Sequence, residues 1–283
     1  MTAKSLFGAG LGLKRELMSQ LQADPPSVIN FFEVAPENWV GLGGARIKQF
    51  AWFAERYPMV AHGLSLSLGG PDPLDEVLLH RIKDFLEQYR IPLYTEHLAY
   101  CSAGGHLYDL LPIPCTEEAV HHVAARIRRT QDILECRIAV ENASYYVAAP
   151  VSELSELEFI RAVLDEADCD LHLDVNNIYV NSVNFGFDPV EFLRQLPGER
   201  TVYIHTAGHL QVAKDLIVDN HGDTVIDPVW ALLDEAYRLF GVAPTLLERD
   251  INIPPLSQLV PEIERIAALQ RKYAPAAVVG GRV

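Results

Sequence analysis

The sequence predicts a (β/α)8 barrel, and three observations carry that expectation. Eight short apolar runs follow one another along the 283 residues, and most are followed by a stretch of helical period. The length suits the architecture, which takes about 250 residues. Six of the runs stop at metal-type ligands: MVAHG at His62, LYTEH at Glu96 and His97, IAVEN at Glu141, LHLDVNN at Asp174, VYIHTAGH at His205 and His209, and TLLER at Glu248. Parallel strands that repeatedly end in His, Asp or Glu gather those side chains at the C-terminal end of a barrel, where this fold keeps its chemistry.

The strands are expected at Phe7–Leu11, Ile29–Val34, Met59–Gly63, Leu93–His97, Ile138–Glu141, Leu171–Asp174, Val202–His205 and Thr245–Glu248. Helical patterns lie between them. LDEVLLHRIKDFLEQY follows Pro73, and TEEAVHHVAARIRRTQDIL opens with Thr116 as N-cap ahead of Glu117 and Glu118. SELEFIRAVLDEA and DPVWALLDEAYRLF behave alike, the second entering at an Asp-Pro pair. No linker, low-complexity tract or repeat breaks this rhythm, so residues 1–283 are expected to form one barrel domain with a metal centre at the C-terminal strand ends. The competing doubly wound sheet lacks its usual cue. GAGLG at 8–12 does not have the GxGxxG spacing, and no adequate strand precedes it.

A hydrophobic share of 49% provides for a sizeable core. The net charge of -15 argues against a nucleic-acid partner, although bound cations would add positive charge locally. Cys101, Cys115, Cys136 and Cys169 form no CxxC pair, which leaves a zinc knuckle or a thioredoxin motif unsupported. Cys136 and Cys169 precede apolar runs and are expected to be buried. The N-terminal stretch has no signal-peptide core and no run approaches 18 apolar residues, so a cytoplasmic protein without membrane contact is expected.

The strand-end residues form a mixed set. His62, His97 and His205 offer imidazoles, while Glu141, Asp174 and Glu248 offer carboxylates, a combination that suits Zn, Mn or Fe. Six ligands exceed the needs of one ion, so two metals bridged by a carboxylate are the natural arrangement. Asp219 and His221 in VDNHGD have Asp-x-His spacing, which lets both side chains point the same way on an extended segment. Asn177, three residues past Asp174, would complete a third, weaker site. Glu33 and Glu37 in FFEVAPENW read as an inward polar position and a group behind the ligands, and Glu96 as a possible orienting partner for a ligand His. Asp109 reads as a loop residue, and His80, His121 and His122 as helical surface or packing residues. There is no GxSxG elbow, and glycosidase chemistry would leave the histidines unexplained.

The order His62, His97, Glu141, Asp174, position 177, His205, Asp219-x-His221 and Glu248 resembles the trinuclear pattern of endonuclease IV and xylose-isomerase-like barrels, with Asn177 where the nuclease has His. More closely, FFEVAPENW, AHGLSLSLGG, YTEHLAYCS, HLYDLLPIP, AVENASYY, LDVNNIYVN, the HTAGH run, and DPVWALL with LLERDINIPPL resemble the multinuclear non-heme iron-dependent oxidative enzymes, the group that includes the methanobactin-forming oxygenase. The resemblance spans about residues 8–260. It implies a xylose-isomerase-like TIM barrel with two or three irons in a mixed-valent Fe(II)/Fe(III) state and dioxygen as co-substrate. The implied substrate is a ribosomally made precursor peptide, oxidised at Cys by way of its Cβ hydrogen, and the implied partner is a separate peptide-recognition protein.

By analogy with the nuclease, His62, His97 and Glu141 would hold one ion, and Glu141 would bridge to a second held by Asp174, His205 and Glu248. Asn177, Asp219 and His221 would hold the third. His209, Asn142, Asn38 and Arg249 are the candidates for substrate positioning or proton relay. Two other chemistries suit the same scaffold. A metal-dependent endonuclease or phosphodiesterase has the -15 charge and the lack of Arg/Lys-rich loops against it; a sugar isomerase would use a divalent pair without dioxygen. A metal-binding scaffold that only docks a partner is the non-enzymatic alternative.

Overall fold

The computed structural model describes residues 5–273, so the two ends of the expected 1–283 domain lie outside the described residues. In chain order the elements are β1 (Ala9–Gly12), α1 (Arg15–Ala23), β2 (Ile29–Val34), α2 (Gly44–Arg56), β3 (Met59–Gly63), α3 (Glu76–Tyr89), β4 (Leu93–His97), β5 (Tyr100–Ser102), β6 (His106–Leu111) and α4 (Glu117–Leu134). There follow β7 (Ala139–Glu141), α5 (Glu156–Ala167), β8 (Asp170–Asp174), α6 (Val175–Phe185), α7 (Pro189–Gln195), β9 (Thr201–Thr206), β10 (Leu210–Ala213), β11 (Leu216–Val218), α8 (Asp227–Phe240), β12 (Thr245–Leu247) and α9 (Leu256–Tyr273). Eight parallel strands close in the order β1, β2, β3, β4, β7, β8, β9, β12 and back to β1. These are the eight strands expected from the apolar runs.

The differences are local. The first strand starts at Ala9 rather than Phe7, whose side chain is 59% exposed. Two small antiparallel hairpins, β5–β6 and β10–β11, are inserted after β4 and β9. Most of their strands are only three or four residues long, too short to show a period. Cys169 is buried as expected, but Cys136 is exposed. It follows Glu135, which ends α4 in the left-handed conformation at φ 55, and the turn leaves the thiol outside.

Helix starts follow the local chemistry. The Thr116 hydroxyl accepts from Ala119 N at 3.1 Å, and Ser155 with Glu158 makes a reciprocal capping box at the start of α5. The helices pack on the outside of the barrel over the main apolar core. A separate cluster of Phe31, Val60, Tyr203 and Leu246 lies inside it. Each of these four stands two residues before a polar strand-end residue (Glu33, His62, His205 and Glu248), so alternation puts an apolar layer directly under a polar one. Gly10 belongs to the same packing, since a Cβ there would lie 2.3 Å from the Phe31 ring. Among the described residues no helix is long and apolar enough to cross a membrane.

Candidate metal centre

Strand register brings the polar layer together. His97 is level with Glu141 and Asp174 with His205. His62 Nε2 lies 3.1 Å from His97 Nε2 and 3.1 Å from Glu141 Oε2. On the other side His205 Nδ1 lies 2.9 Å from Glu248 Oε2 and 3.4 Å from Glu141 Oε1, so Glu141 stands between the two halves. His221 Nε2 is 2.7 Å from Asp219 Oδ1, and its Nδ1 is 3.3 Å from Glu248 Oε2.

Outer hydrogen bonds decide which imidazole nitrogen faces inward. His97 Nδ1 donates to Gly63 O at 3.0 Å, and His62 Nδ1 is bonded to Thr95 Oγ1 at 2.7 Å, so both Nε2 atoms point to the centre. His205 is turned the other way round. Its Nε2 donates to Glu33 Oε2 at 2.8 Å, which leaves Nδ1 inward. His221 Nδ1 bonds Asp250 Oδ2 at 2.9 Å, leaving Nε2 toward Asp219. Anchoring one ring nitrogen on an oxygen while the other stays available is how proteins prepare ligand histidines.

The donor atoms fit a cation. Glu141 Oε2, Asp174 Oδ2, Asn177 Oδ1, His205 Nδ1, His221 Nε2 and Glu248 Oε2 are all buried, and for all the close approaches among them none makes an aligned hydrogen bond. Burying several such atoms together is costly unless something binds them. Among the described residues three overlapping groups could each hold an ion: His62, Glu141, His172 and His205; Glu141, Asp174, His205 and Glu248; and His221, Glu248 and Asp250. The charges respond to one another. Burial works against a charged His97, but Glu96, Glu141 and Glu248 outweigh it and raise its pKa to about 9. Burial likewise opposes the Glu141 carboxylate, yet His172 and His62 hold it well below the usual carboxylate range. Burial and the Glu141 charge push Asp174 upward, as expected of a carboxylate crowded by others.

Asp174 has two duties. Its Oδ1 accepts from Asn177 N at 2.7 Å and caps α6, while Oδ2 faces the centre. Helix α6 therefore begins at the site, and its asparagines tie the surrounding loops. Asn177 Nδ2 donates to Asn142 O at 3.1 Å, Asn176 Nδ2 to Asp219 Oδ1 at 2.8 Å, and Asn181 Nδ2 to Ala143 O at 3.1 Å. A cavity of about 710 Å³ opens above, lined by His62, His97, Glu141, Asn177, Asp219, His221 and Glu248 together with Asn38, Cys101 and Asp109.

The structure thus brings His62, His97, Glu141, Asp174, Asn177, His205, Asp219, His221 and Glu248 into one region at the strand ends. The residues expected to handle substrate are placed differently. Asn142 uses both ends of its amide on the Asp174 backbone, at 2.9 Å each, and clamps β7 to β8. Arg249 donates to Glu262 on α9 at 2.8 Å. His209 donates from Nδ1 to Asn176 Oδ1 at 2.7 Å and stacks on Tyr179. None of the three lines the cavity, whereas Asn38 does. Glu37 accepts from Leu64 N and Ser65 N, and burial raises its pKa to about 7; Glu96 accepts from Tyr94 OH and His97 N. His80, His121 and His122 sit on α3 and α4, away from the centre.

Sequence reasoning missed His172, Asp250 and Asn176. For His172 the signal was present: it stands two residues before Asp174 on one strand and so shares its face.

Solved structures similar to this chain include a xylose isomerase-like TIM barrel protein from Mycobacterium smegmatis in complex with magnesium, with TM-score 0.62, 11% identity, and coverage of 97% of this chain and 100% of that one. The 3-keto-D-glucoside 4-epimerase of E. coli gives TM-score 0.61 at 14% identity over 94% of this chain and 99% of its own. Both are likenesses of fold. Among curated sequences, a UPF0276 protein of Nitrosospira multiformis is 64% identical, covering 95% of each chain, and one of Pseudomonas aeruginosa is 51% identical, covering 98% of this chain and 97% of its own. The model of the RiPP precursor modification enzymes MbnB/TglH/ChrH, where RiPP denotes a ribosomally synthesised and post-translationally modified peptide, matches residues 8–271. With its xylose-isomerase-like barrel and its buried His/carboxylate cluster, the chain belongs to the MbnB/TglH/ChrH family of RiPP precursor modification enzymes.

Proposed function

We propose that this protein is a multinuclear non-heme iron, dioxygen-dependent oxidase that modifies a cysteine of a ribosomally synthesised precursor peptide, aided by a separate peptide-recognition partner. The observation that carries the reading is the cluster of buried histidine and carboxylate atoms, crowded together yet making no aligned hydrogen bonds, at the floor of a cavity large enough for a peptide side chain. A mixed nitrogen and oxygen donor set without thiolate suits iron. Bound iron would supply the redox chemistry between dioxygen and the substrate.

The chain's own residues divide the remaining work. His62, His97 and Glu141 would hold one ion, Glu141 with Asp174, His205 and Glu248 a second, and Asn177, Asp219 and His221 a third. Asp250 supports His221 from outside, and Glu33 supports His205. His209 acts through Asn176, which holds Asp219 in place, and is therefore a positioning residue. Asn142 and Arg249 have the same standing, since Asn142 bonds the Asp174 backbone and the Arg249 guanidinium is anchored on Glu262.

The test is metal analysis by mass spectrometry and Mössbauer spectroscopy on anaerobically purified protein, followed by dioxygen uptake with a Cys-containing peptide and the partner protein. Two or three irons per chain with peptide-dependent uptake are expected. Zinc or manganese with little iron would refute the oxidase and turn attention to hydrolysis or isomerisation.

A further inference from the structure

We propose that His172 is an additional ligand of the metal centre, donating to the ion held by His62 and Glu141 from below the cluster. This rests on the metal-binding part of the function proposed above, and none of the ligand sets suggested by resemblance includes the residue.

The argument begins with the layer that His172 occupies. On four other barrel strands, β2, β3, β9 and β12, the positions two residues before the polar side chains of the site are Phe31, Val60, Tyr203 and Leu246, and together these form an apolar plug. His172 stands in the same relation to Asp174, so β8 inserts an imidazole where other strands insert hydrocarbon. The side chain is fully buried, and among the described residues neither Nδ1 nor Nε2 has a hydrogen-bond partner. An imidazole always carries at least one N–H, and a buried N–H and lone pair left unmatched are costly, so this side chain calls for a partner.

The geometry points to that partner. His172 Nδ1 lies 3.9 Å from Glu141 Oε2. Its ring centre is 4.0 Å from that of His205 and 5.1 Å from that of His62, nearly perpendicular to both. Ligand atoms of His62, Glu141, His172 and His205 all lie within 4.8 Å of one another, which is the spacing of atoms around a shared ion. His172 does not line the cavity, unlike His62, His97 and Glu141. A donor on that side would leave the cavity-facing positions of the ion to substrate.

The experiment uses Co²⁺ and Zn²⁺ on metal-free full-length protein, with neither peptide nor dioxygen. His172→Phe should retain the fold, because it restores the apolar layer. It should bind one equivalent of Co²⁺ at least about tenfold more weakly than wild type, since even groups behind ligands carry effects of that size. The visible absorption of that Co²⁺ should change as well. In 15N-histidine-labelled wild type, Zn²⁺ should shift one ring nitrogen of His172, assigned by its absence in His172→Gln, which keeps the protein testable if the Phe variant fails to fold. A folded variant with wild-type affinity and absorption, or a His172 ring that does not move with Zn²⁺, would overturn the inference and mark the residue as bonded to buried water. Wild type that binds neither ion would refute the metal-dependent function itself, an outcome distinct from the previous one.

Discussion

Replacing Glu33 with leucine separates the two roles of that carboxylate. Its Oε2 accepts from Tyr203 OH at 2.9 Å and from His205 Nε2 at 2.8 Å, and all three groups are buried. Glu33→Leu leaves both donors unpaired. Each buried unsatisfied donor costs about 1–3 kcal/mol, so metal-free protein should lose on the order of 2–6 kcal/mol of stability. The change also removes the anchor that turns His205 Nδ1 toward Glu248. Loss of such an outer partner typically costs about 10–100-fold in metal affinity, or about 1.4–2.7 kcal/mol. Glu33→Gln keeps an acceptor for both donors and should fall between wild type and leucine on both scales. Guanidinium unfolding of metal-free protein reads the first quantity, and Zn²⁺ competition against a chromophoric chelator reads the second. If Glu33→Leu loses stability but binds Zn²⁺ as wild type does, the orienting role is refuted and Glu33 is only a core partner.

Three further outcomes are expected. His205→Ala should abolish turnover and lower bound metal and His221→Ala should lose one ion while keeping the rest, with His80→Ala on the exposed face of α3 as the unchanged control; metal analysis decides, and full retention in His205→Ala would refute its ligand role. Burial raises the Glu156 carboxyl to about 7 against the opposing bonds from Tyr145 and Asn181, so the folded chain holds this proton more tightly than the unfolded one. The resulting stability is complete below about pH 4.5 and is lost as pH rises through about 7, at most about 3 kcal/mol, and Glu156→Gln should flatten that part of the stability curve. In Gly208→Ala the new Cβ would meet Asp223 O at 2.1 Å and Thr224 O at 2.6 Å, both backbone, so the loop before His209 must shift. The cost should be about 1–3 kcal/mol or more, and an unchanged Tm would contradict it.

Much of this was legible because a parallel barrel writes itself into the chain as apolar runs, and its polar rim as their last residues. His97, Glu141 and Asp174 end their strands and His62 stands one residue before the end of its own, and the structure gathers them where that pattern implies. What was hidden lies elsewhere along each strand. His172 is an inward residue one layer down, and reading only the final residue of each run passes over it. Asp250 lies beyond β12 and reaches the site by bonding His221, a contact between loops that no period announces. Two of the substrate-handling candidates take other places for a related reason. Asn142 and Arg249 stand beside ligands in the chain, but adjacency on a strand end sends successive side chains in different directions. Cys136 was misplaced because a left-handed helix end, rather than hydropathy, decides which way its thiol turns.

The shared carboxylate of Asp174 has a consequence for the order of assembly. One oxygen can face the centre only after the other has closed the first turn of α6 on Asn177, so helix winding aims the ligand. The other donors are spread from His62 to Glu248, and no short stretch of chain carries enough of them to capture an ion by itself. Folding would therefore precede any metal loading, the reverse of small domains that metals fold. If the centre holds metal as proposed, a metal-free chain should keep its barrel while the amides at the start of α6 exchange faster, a local record of whether the centre has been filled.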